Sequence, residues 1–241
     1  MEKYIIKNFA RPSQTVINEY RQLDVSTIYE AQGKQNLLDY CLKPILSNVM
    51  IAGPAVTVTC QAGDNLMIHA AIEVCKPGDI VVITAQGTCI AGMIGELIVT
   101  ALMKKGVQGV IIDSGIRDVQ QIRDMRFPIW TRKVTSQGTT KIKGGWVNAL
   151  ATCGGVTVEA GDLIAADDDG VVVVKQEDLQ STLDSAKARL QKEKETRAKI
   201  ASGQISLDFY NLRPVLDEEG VVYYENQEDY KKKREGFYGK T

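Results

Sequence analysis

The stretch GMIGELIVTALMKKGVQGVIIDSGIRDVQQIRD, residues 92–124, decides how the chain reads. Gly92 and Gly95 predict a Gly-rich turn at a helix N-terminus, and apolar spacing predicts a helix from about residue 93 to 105. The β-branched run VQGVIID predicts a buried strand, SGIRD a turn, and residues 118–125 a short helix, before a further strand in FPIWTR. Strand, helix and strand at this spacing point to an α/β unit with parallel pairing.

Working outward, the pattern repeats toward the N-terminus. AVTVTC at 55–60 alternates as a strand, GDNLMIHAAIEVCK at 63–76 is helical, and DIVVITA at 79–85 is a buried strand. Residues 14–23, with Val16, Ile17, Tyr20 and Leu23 at helical spacing, and a second helix from Ser26, form an N-terminal cap. Toward the C-terminus, GGWVNALATCGGVTVEAGDLIAADDDGVVVV reads as short strands with Gly turns, a β-rich layer. Residues 176–202 form a long charged helix with Leu179, Leu183, Ala186 and Leu190 on one face. An irregular tail follows, with its last ten or so residues frayed for want of an apolar face.

Composition excludes several function classes. The chain has 241 residues, 29 Lys+Arg against 30 Asp+Glu, and one histidine, His69. Near-neutral charge argues against a dedicated nucleic-acid binder, whose affinity comes mainly from clustered cations. A lone imidazole cannot build a multi-histidine zinc site. The five cysteines, Cys41, Cys60, Cys75, Cys89 and Cys153, are scattered and never spaced as C-x-x-C, so they read as small core residues of a reducing compartment. No run approaches the roughly 18 apolar residues of a membrane span. The expected location is the cytoplasm.

The candidate site lies where strands end. Loops after parallel strands are the usual place for ligands in α/β folds, and Arg117 and Asp118 follow such a strand. The N–H groups of Gly95, Glu96, Leu97 and Ile98 stand at a helix start, where donors are unpaired and the dipole favours an anion such as a small carboxylate. Arg117 offers a planar bidentate cation and Asp118 a hard oxygen ligand. The alternative is a solvated turn in which Asp118 is simply an N-cap. Dinucleotide and adenosylmethionine sites are unsupported, because the later glycines of G-x-G-x-x-G are missing.

Glu96, twenty intervening residues, then Arg117-Asp118 resembles the acidic-x20-Arg-Asp signature of the family that joins class II pyruvate aldolases with the regulator of ribonuclease E activity A. EAQG at 30–33, GDNLMIHAAIE at 63–73, FPIWTR at 127–132, GDLIAADDDGVVVV at 161–174 and ASGQISLDFYNLR at 201–213 resemble its 4-hydroxy-4-methyl-2-oxoglutarate / 4-carboxy-4-hydroxy-2-oxoadipate aldolase branch. The expected fold is α/β, a layered β/β/α core of the swivelling-domain type with an N-terminal helical cap, a long C-terminal helix and a tail. Residues 1–175 would be the catalytic core and 176–241 the part that contacts other subunits, within one domain.

The resemblance implies cleavage of a branched 4-hydroxy-2-oxo acid to pyruvate and a second oxo acid in aromatic-compound degradation, with oxaloacetate decarboxylation as a side activity. It implies that Asp118 holds Mg²⁺ or Mn²⁺ largely surrounded by water, that Arg117 contacts the pyruvyl oxygens, and that the backbone of Gly95 to Ile98 holds a carboxylate. Glu96 stands where relatives have Asp, implying proton transfer near the reacting hydroxyl with a side chain one methylene longer. Glu193 matches a position from which a neighbouring subunit reaches the metal's water shell, in a homotrimer or a hexamer of stacked trimers. The same family holds non-catalytic rings that modulate a ribonuclease; Arg117-Asp118, Glu96 and the tail count against that alternative. His69 reads as a hydrogen-bonded structural residue and Asp167-Asp168-Asp169-Gly170 as a tight turn rather than a Ca²⁺ loop. Arg123, Arg126 and Arg132 remain unranked.

Overall fold

The computed structural model describes residues 2–238, with side chains through Arg234. Strand β1 (Tyr4–Ile5) precedes helices α1 (Gln14–Tyr20) and α2 (Val25–Ala31) and strand β2 (Lys43–Pro44). Then come β3 (Ile51–Gln61), α3 (Leu66–Val74), β4 (Ile80–Gln86), β5 (Gly92–Ile94), α4 (Glu96–Lys104), β6 (Gly109–Ile116), α5 (Val119–Asp124) and β7 (Ile129–Val134). The second half adds β8 (Trp146–Val147), β9 (Ala151–Cys153), β10 (Val156–Val158), β11 (Leu163–Ala166) and β12 (Val171–Val174). A 3-10 turn leads into α6 (Leu179–Ala201), α7 (Ser206–Phe209), α8 (Arg213–Glu218) and α9 (Gln227–Tyr238).

The main sheet runs β1-β8-β3-β4-β6-β7-β2, with β3, β4, β6 and β7 parallel as the alternation of strand and helix requires. β3 serves two layers. Its residues Ala55–Gln61 pair parallel with β4, while Ile51–Pro54 pair antiparallel with β11, which forms a hairpin with β12. Only glycine suits position 53 at this junction, since a Cβ there would lie 2.3 Å from the Gly78 carbonyl oxygen.

Period-two alternation divides the strand side chains between cores. Val81, Ile83, Val110 and Ile112 face α3, α4 and α5, whose Ile68, Ala71, Val99, Leu102 and Ile122 complete one cluster. Ile80, Val82, Ile111 and Trp130 meet Ile164, Ala166, Val171 and Val173 of the β11–β12 hairpin in a second. The hairpin's other face, Leu163, Ala165, Val172 and Val174, packs on α1, α2 and the first turns of α6 through Ile17, Tyr20, Ile28, Leu183 and Ala186. The cap helices start where side chains accept first-turn N–H groups, Ser13 from Val16 and Asp24 from Thr27. The result is the layered β/β/α architecture with a helical cap and a long C-terminal helix.

Some local expectations are corrected. Gly92–Ile94 is not a turn but a short strand beside β6, and Ser114–Ile116 continue β6, so the turn shrinks to Arg117-Asp118. In both places backbone pairing overrides the turn tendency of Gly and Ser. The tail is helical in α7, α8 and α9, with the end of the expected frayed segment, residues 239–241, outside the described residues. Cys41 is exposed, while the other four cysteines are buried and all five are free.

The chain clusters into two compact units, Met1–Leu190 and Gln191–Thr241. The first holds the layers described above. In the second, none of the described side chains is buried, and ion pairs such as Arg213–Asp208 span its turns. Among the described residues, no helix is long and apolar enough to cross a membrane.

Besides the β1–β8 pairing, a buried ion pair ties the N-terminal segment to the core. Arg11 donates Nε and Nη2 to the two carboxylate oxygens of fully buried Asp79, each at 2.8 Å, and Lys76 N–H donates to the same carboxylate. Losing Arg11 strands a buried charge, so Arg11→Ala is expected to cost about 3 kcal/mol in urea unfolding. Removing the more exposed Lys187 partner of Glu19 should cost about 0.5 kcal/mol or less. Equal effects of the two substitutions would refute this.

Candidate active site

The pairing of β5 with β6 brings the start of α4 against the end of β6, where Arg117 N–H donates to the Ile94 carbonyl at 2.9 Å. Asp118 then adopts a left-handed backbone, φ 54° and ψ 36°, which costs a non-glycine residue about 1 kcal/mol and which Asp tolerates better than most. Asp118 occupies the N-cap position of α5 but makes no side-chain cap bond there. Its carboxylate turns instead to the neighbouring helix, where Oδ2 accepts Glu96 N–H at 3.2 Å and lies 3.6 Å from Arg117 Nε. The simple N-cap alternative therefore does not describe this residue.

Gly95 makes the approach possible. A Cβ at this position would lie 2.3 Å from Asp118 Oδ2 and 3.1 Å from Arg117 Nε. The backbone here is extended, so the requirement for glycine is space and not torsion. With Glu96 N–H committed to Asp118, the N–H groups of Leu97 and Ile98 remain in the first turn of α4 as donors for an anion.

These groups form one wall of a cavity of about 330 Å³, lined there by Gly95, Leu97, Ile98, Arg117 and Asp118. Five of the seven residues singled out in the sequence thus meet at one place. Glu96 contributes its backbone, whereas its carboxylate accepts from Thr100 Oγ1 at 2.9 Å along α4 and is not among the lining groups. Glu193 belongs to the Gln191–Thr241 unit, where it lies 3.5 Å from Arg197.

The lining also includes Asn65, His69, Thr139 and Lys141, none of them among the site residues expected from the sequence. Asn65 Nδ2 donates to the Met93 carbonyl at 3.1 Å, while its buried Oδ1 has no partner among the described residues and stands ready for a ligand donor. His69, expected as a hydrogen-bonded structural residue, is exposed and lines the cavity. Its pKa lies below 6.5, first through partial desolvation and second through repulsion from Lys141. A signal for Asn65 and His69 existed: they sit four apart at the start of a helix that follows a parallel strand, the rule that singled out Arg117. Lys141 comes from the β7–β8 loop and carries no local signature.

The donor set suits a hard cation. Both contacts of Asp118 run through Oδ2, its side chain is 40% exposed, and a carboxylate has about four acceptor sites. Among the described residues no three His, Cys, Asp or Glu side chains cluster to cage a metal. One carboxylate with water completing the shell fits Mg²⁺ or Mn²⁺, which retain water, better than zinc.

A family model described as RraA-like, Aldolase/RraA, matches residues 23–173. The chain is 32% identical over 189 residues to a Halalkalibacterium halodurans protein named "Putative 4-hydroxy-4-methyl-2-oxoglutarate aldolase", covering 78% of this chain and 90% of that protein. It is 34% identical over 173 residues to an uncharacterized protein of Methanocaldococcus jannaschii, covering 71% of this chain and 83% of that protein. Among solved structures, Streptomyces coelicolor RraAS2, described as an unusual member of the RNase ES inhibitor RraA protein family, superposes with a TM-score of 0.71 at 28% identity, covering 79% of this chain and 99% of that one.

Because His69 is the sole histidine, its titration can be followed without assignment by NMR. The midpoint is expected below 6.5 in the native chain, and Lys141→Ala, which removes a repelling charge, should raise it. A fall or no change on that substitution would mean that the two side chains do not share the cavity.

Proposed function

The chain belongs to the RraA-like family, Aldolase/RraA, and on that premise we propose that it is a metal-dependent aldolase releasing pyruvate from a 4-hydroxy-2-oxo acid. The preferred substrates are 4-hydroxy-4-methyl-2-oxoglutarate or 4-carboxy-4-hydroxy-2-oxoadipate. The observation that carries this reading is the convergence of Arg117, Asp118 and the first-turn donors of α4 on one cavity.

Cleavage of the C3–C4 bond removes the C4 hydroxyl proton, turns C4 into the carbonyl of the second oxo acid, and leaves the bonding pair on the other fragment as an enolate, which takes a proton at C3 to become pyruvate. The N–H groups of Leu97 and Ile98 hold the C1 carboxylate, which orients the 2-oxo group toward Arg117. Arg117 donates to the pyruvyl oxygens as negative charge grows there, in a site where its donors are already aimed. Asp118 holds Mg²⁺ or Mn²⁺, which when bound supplies further positive charge for the developing oxyanion. His69 and Lys141, which also line the cavity, meet the distal carboxylate of a diacid or triacid. Glu96 is the proton-transfer group, acting through water after its carboxylate leaves Thr100 Oγ1. Oxaloacetate, which loses CO₂ to the same enolate, is an expected side substrate.

The enzyme assembles as a trimer or a hexamer of stacked trimers, with Glu193 of a neighbouring chain at the water shell of the ion. It works in the cytoplasm. A ring that inhibits a ribonuclease is the competing reading, favoured by the likeness to RraAS2.

Pyruvate release from the three substrates, measured with a coupled dehydrogenase, should require Mg²⁺ or Mn²⁺ and stop with chelator. Arg117→Ala should lower kcat/KM at least about 10²-fold with an unchanged thermal midpoint, the scale of a lost oxyanion donor. Glu96→Gln should lower kcat at least about 10²-fold, as loss of a proton-transfer group does, while Thr100→Val stays within about 5-fold. No turnover on any substrate, together with recovery of a ribonuclease in a pull-down, would decide for the regulator.

A further inference from the structure

The rest of the lining comes from two segments far apart in sequence, the start of α3 with Asn65 and His69, and the β7–β8 loop with Gly138, Thr139 and Lys141, where a Cβ on Gly138 would lie 3.6 Å from Arg117 Nη1. The loop's start is held to the sheet, Thr135 N–H donating to the Ile116 carbonyl and Gly92 N–H to the Gln137 carbonyl, while further along its regular pairing is a single bridge between Thr140 and Asp64. Asp64 stands at that meeting point and is 1% exposed.

Its carboxylate is fully engaged. Oδ2 accepts from Thr140 Oγ1 at 2.6 Å, from Ile142 N–H at 2.7 Å and from Lys143 N–H at 3.1 Å, while Oδ1 accepts from Leu66 N–H in the first turn of α3 at 3.0 Å. Backbone bonds close the same junction, Asn65 N–H to the Thr140 carbonyl at 3.0 Å and Thr140 N–H to the Gly63 carbonyl at 2.9 Å. Asp64 itself does not line the cavity.

Resting on the aldolase reading above, we propose that Asp64 is a positioning residue: its carboxylate clamps the β7–β8 loop to the start of α3 and so fixes the distance between Lys141, His69 and the Arg117 wall. Lys141 lies between Thr140 and Ile142, both tied to Asp64 Oδ2, so it cannot shift without breaking one of these bonds. Burial works against the charged form of Asp64, but the bonds from Ile142, Thr140, Leu66 and Lys143 outweigh it and hold the pKa at about 2. The clamp is therefore charged and closed throughout the neutral range. An amide in its place would present an N–H₂ to groups that are themselves donors, leaving at least one of them without an acceptor.

Because the clamp acts on the wall that meets the distal end of the substrate, its loss should appear in binding more than in chemistry. Asp64→Asn in the full-length protein, assayed with 4-carboxy-4-hydroxy-2-oxoadipate and Mg²⁺ well below the thermal midpoint, should raise KM about 10-fold with kcat within about 3-fold. For oxaloacetate, which lacks the distal group, KM should rise less. Hydrogen exchange at the amides of residues 141–143 should accelerate in the same variant. Arg11→Met, which loosens a buried ion pair elsewhere, controls for general destabilisation and should leave KM unchanged.

A KM rise no larger than that of the Arg11 control, or unaltered exchange at 141–143, would overturn the clamp. Absence of turnover in the native protein would instead overturn the aldolase reading. The exchange measurement needs no substrate and would still decide whether Asp64 anchors the loop.

Discussion

The close approach of the Asp118 carboxylate to the backbone of Gly95 and Glu96 is the constraint from which the site follows. It needs a left-handed residue at the end of β6, a position without a side chain at the start of α4, and the β5–β6 pairing that brings the two together. The charge is compensated by a first-turn N–H and by Arg117 while remaining open to solvent. A carboxylate placed this way spends one helix donor and leaves the next two to an incoming anion. The protein thus sets a negative charge beside an anion-binding helix start without the two cancelling.

The layers divide the work. Every wall of the cavity is built from elements at one end of the parallel strands, α3, β5, α4, the end of β6 and the β7–β8 loop. The β11–β12 hairpin packs on the other face of the sheet through Ile164, Val171 and Val173, and the helical cap packs on the hairpin's far side. Substitutions in that second layer act on the site only through the sheet, whereas the helix-side core of Val99, Leu102 and Ile68 supports the donors directly.

The order of strands and helices was readable because their side-chain periods differ and the runs are long: residues 55–60, 79–85 and 109–113 could be little else than buried strands. Gly92–Ile94 was misread because three residues carry no period, and glycine signals turns more often than a strand beside a bend. The tail was misread for a related reason. Its helices carry apolar residues such as Val215 and Tyr230 that stay exposed, so no buried stripe marks them. One wall of the site was legible from its position after a strand. The other was not, because Lys141 reaches it by a long-range tie to Asp64 that leaves no pattern in either segment.

The dual membership of β3 also orders events in time. Ile51–Pro54 pair with Leu163–Ala166, more than a hundred residues onward, while the adjoining Ala55–Gln61 pair with the next strand in sequence. During synthesis the parallel half of the sheet can therefore assemble while the first four residues of the same strand still wait for a partner. Until Ala166 has left the ribosome they present an unpaired apolar edge, the kind of edge that recruits other chains. Pro54, with no N–H to offer, sits in that waiting segment and withholds one donor from any such partner.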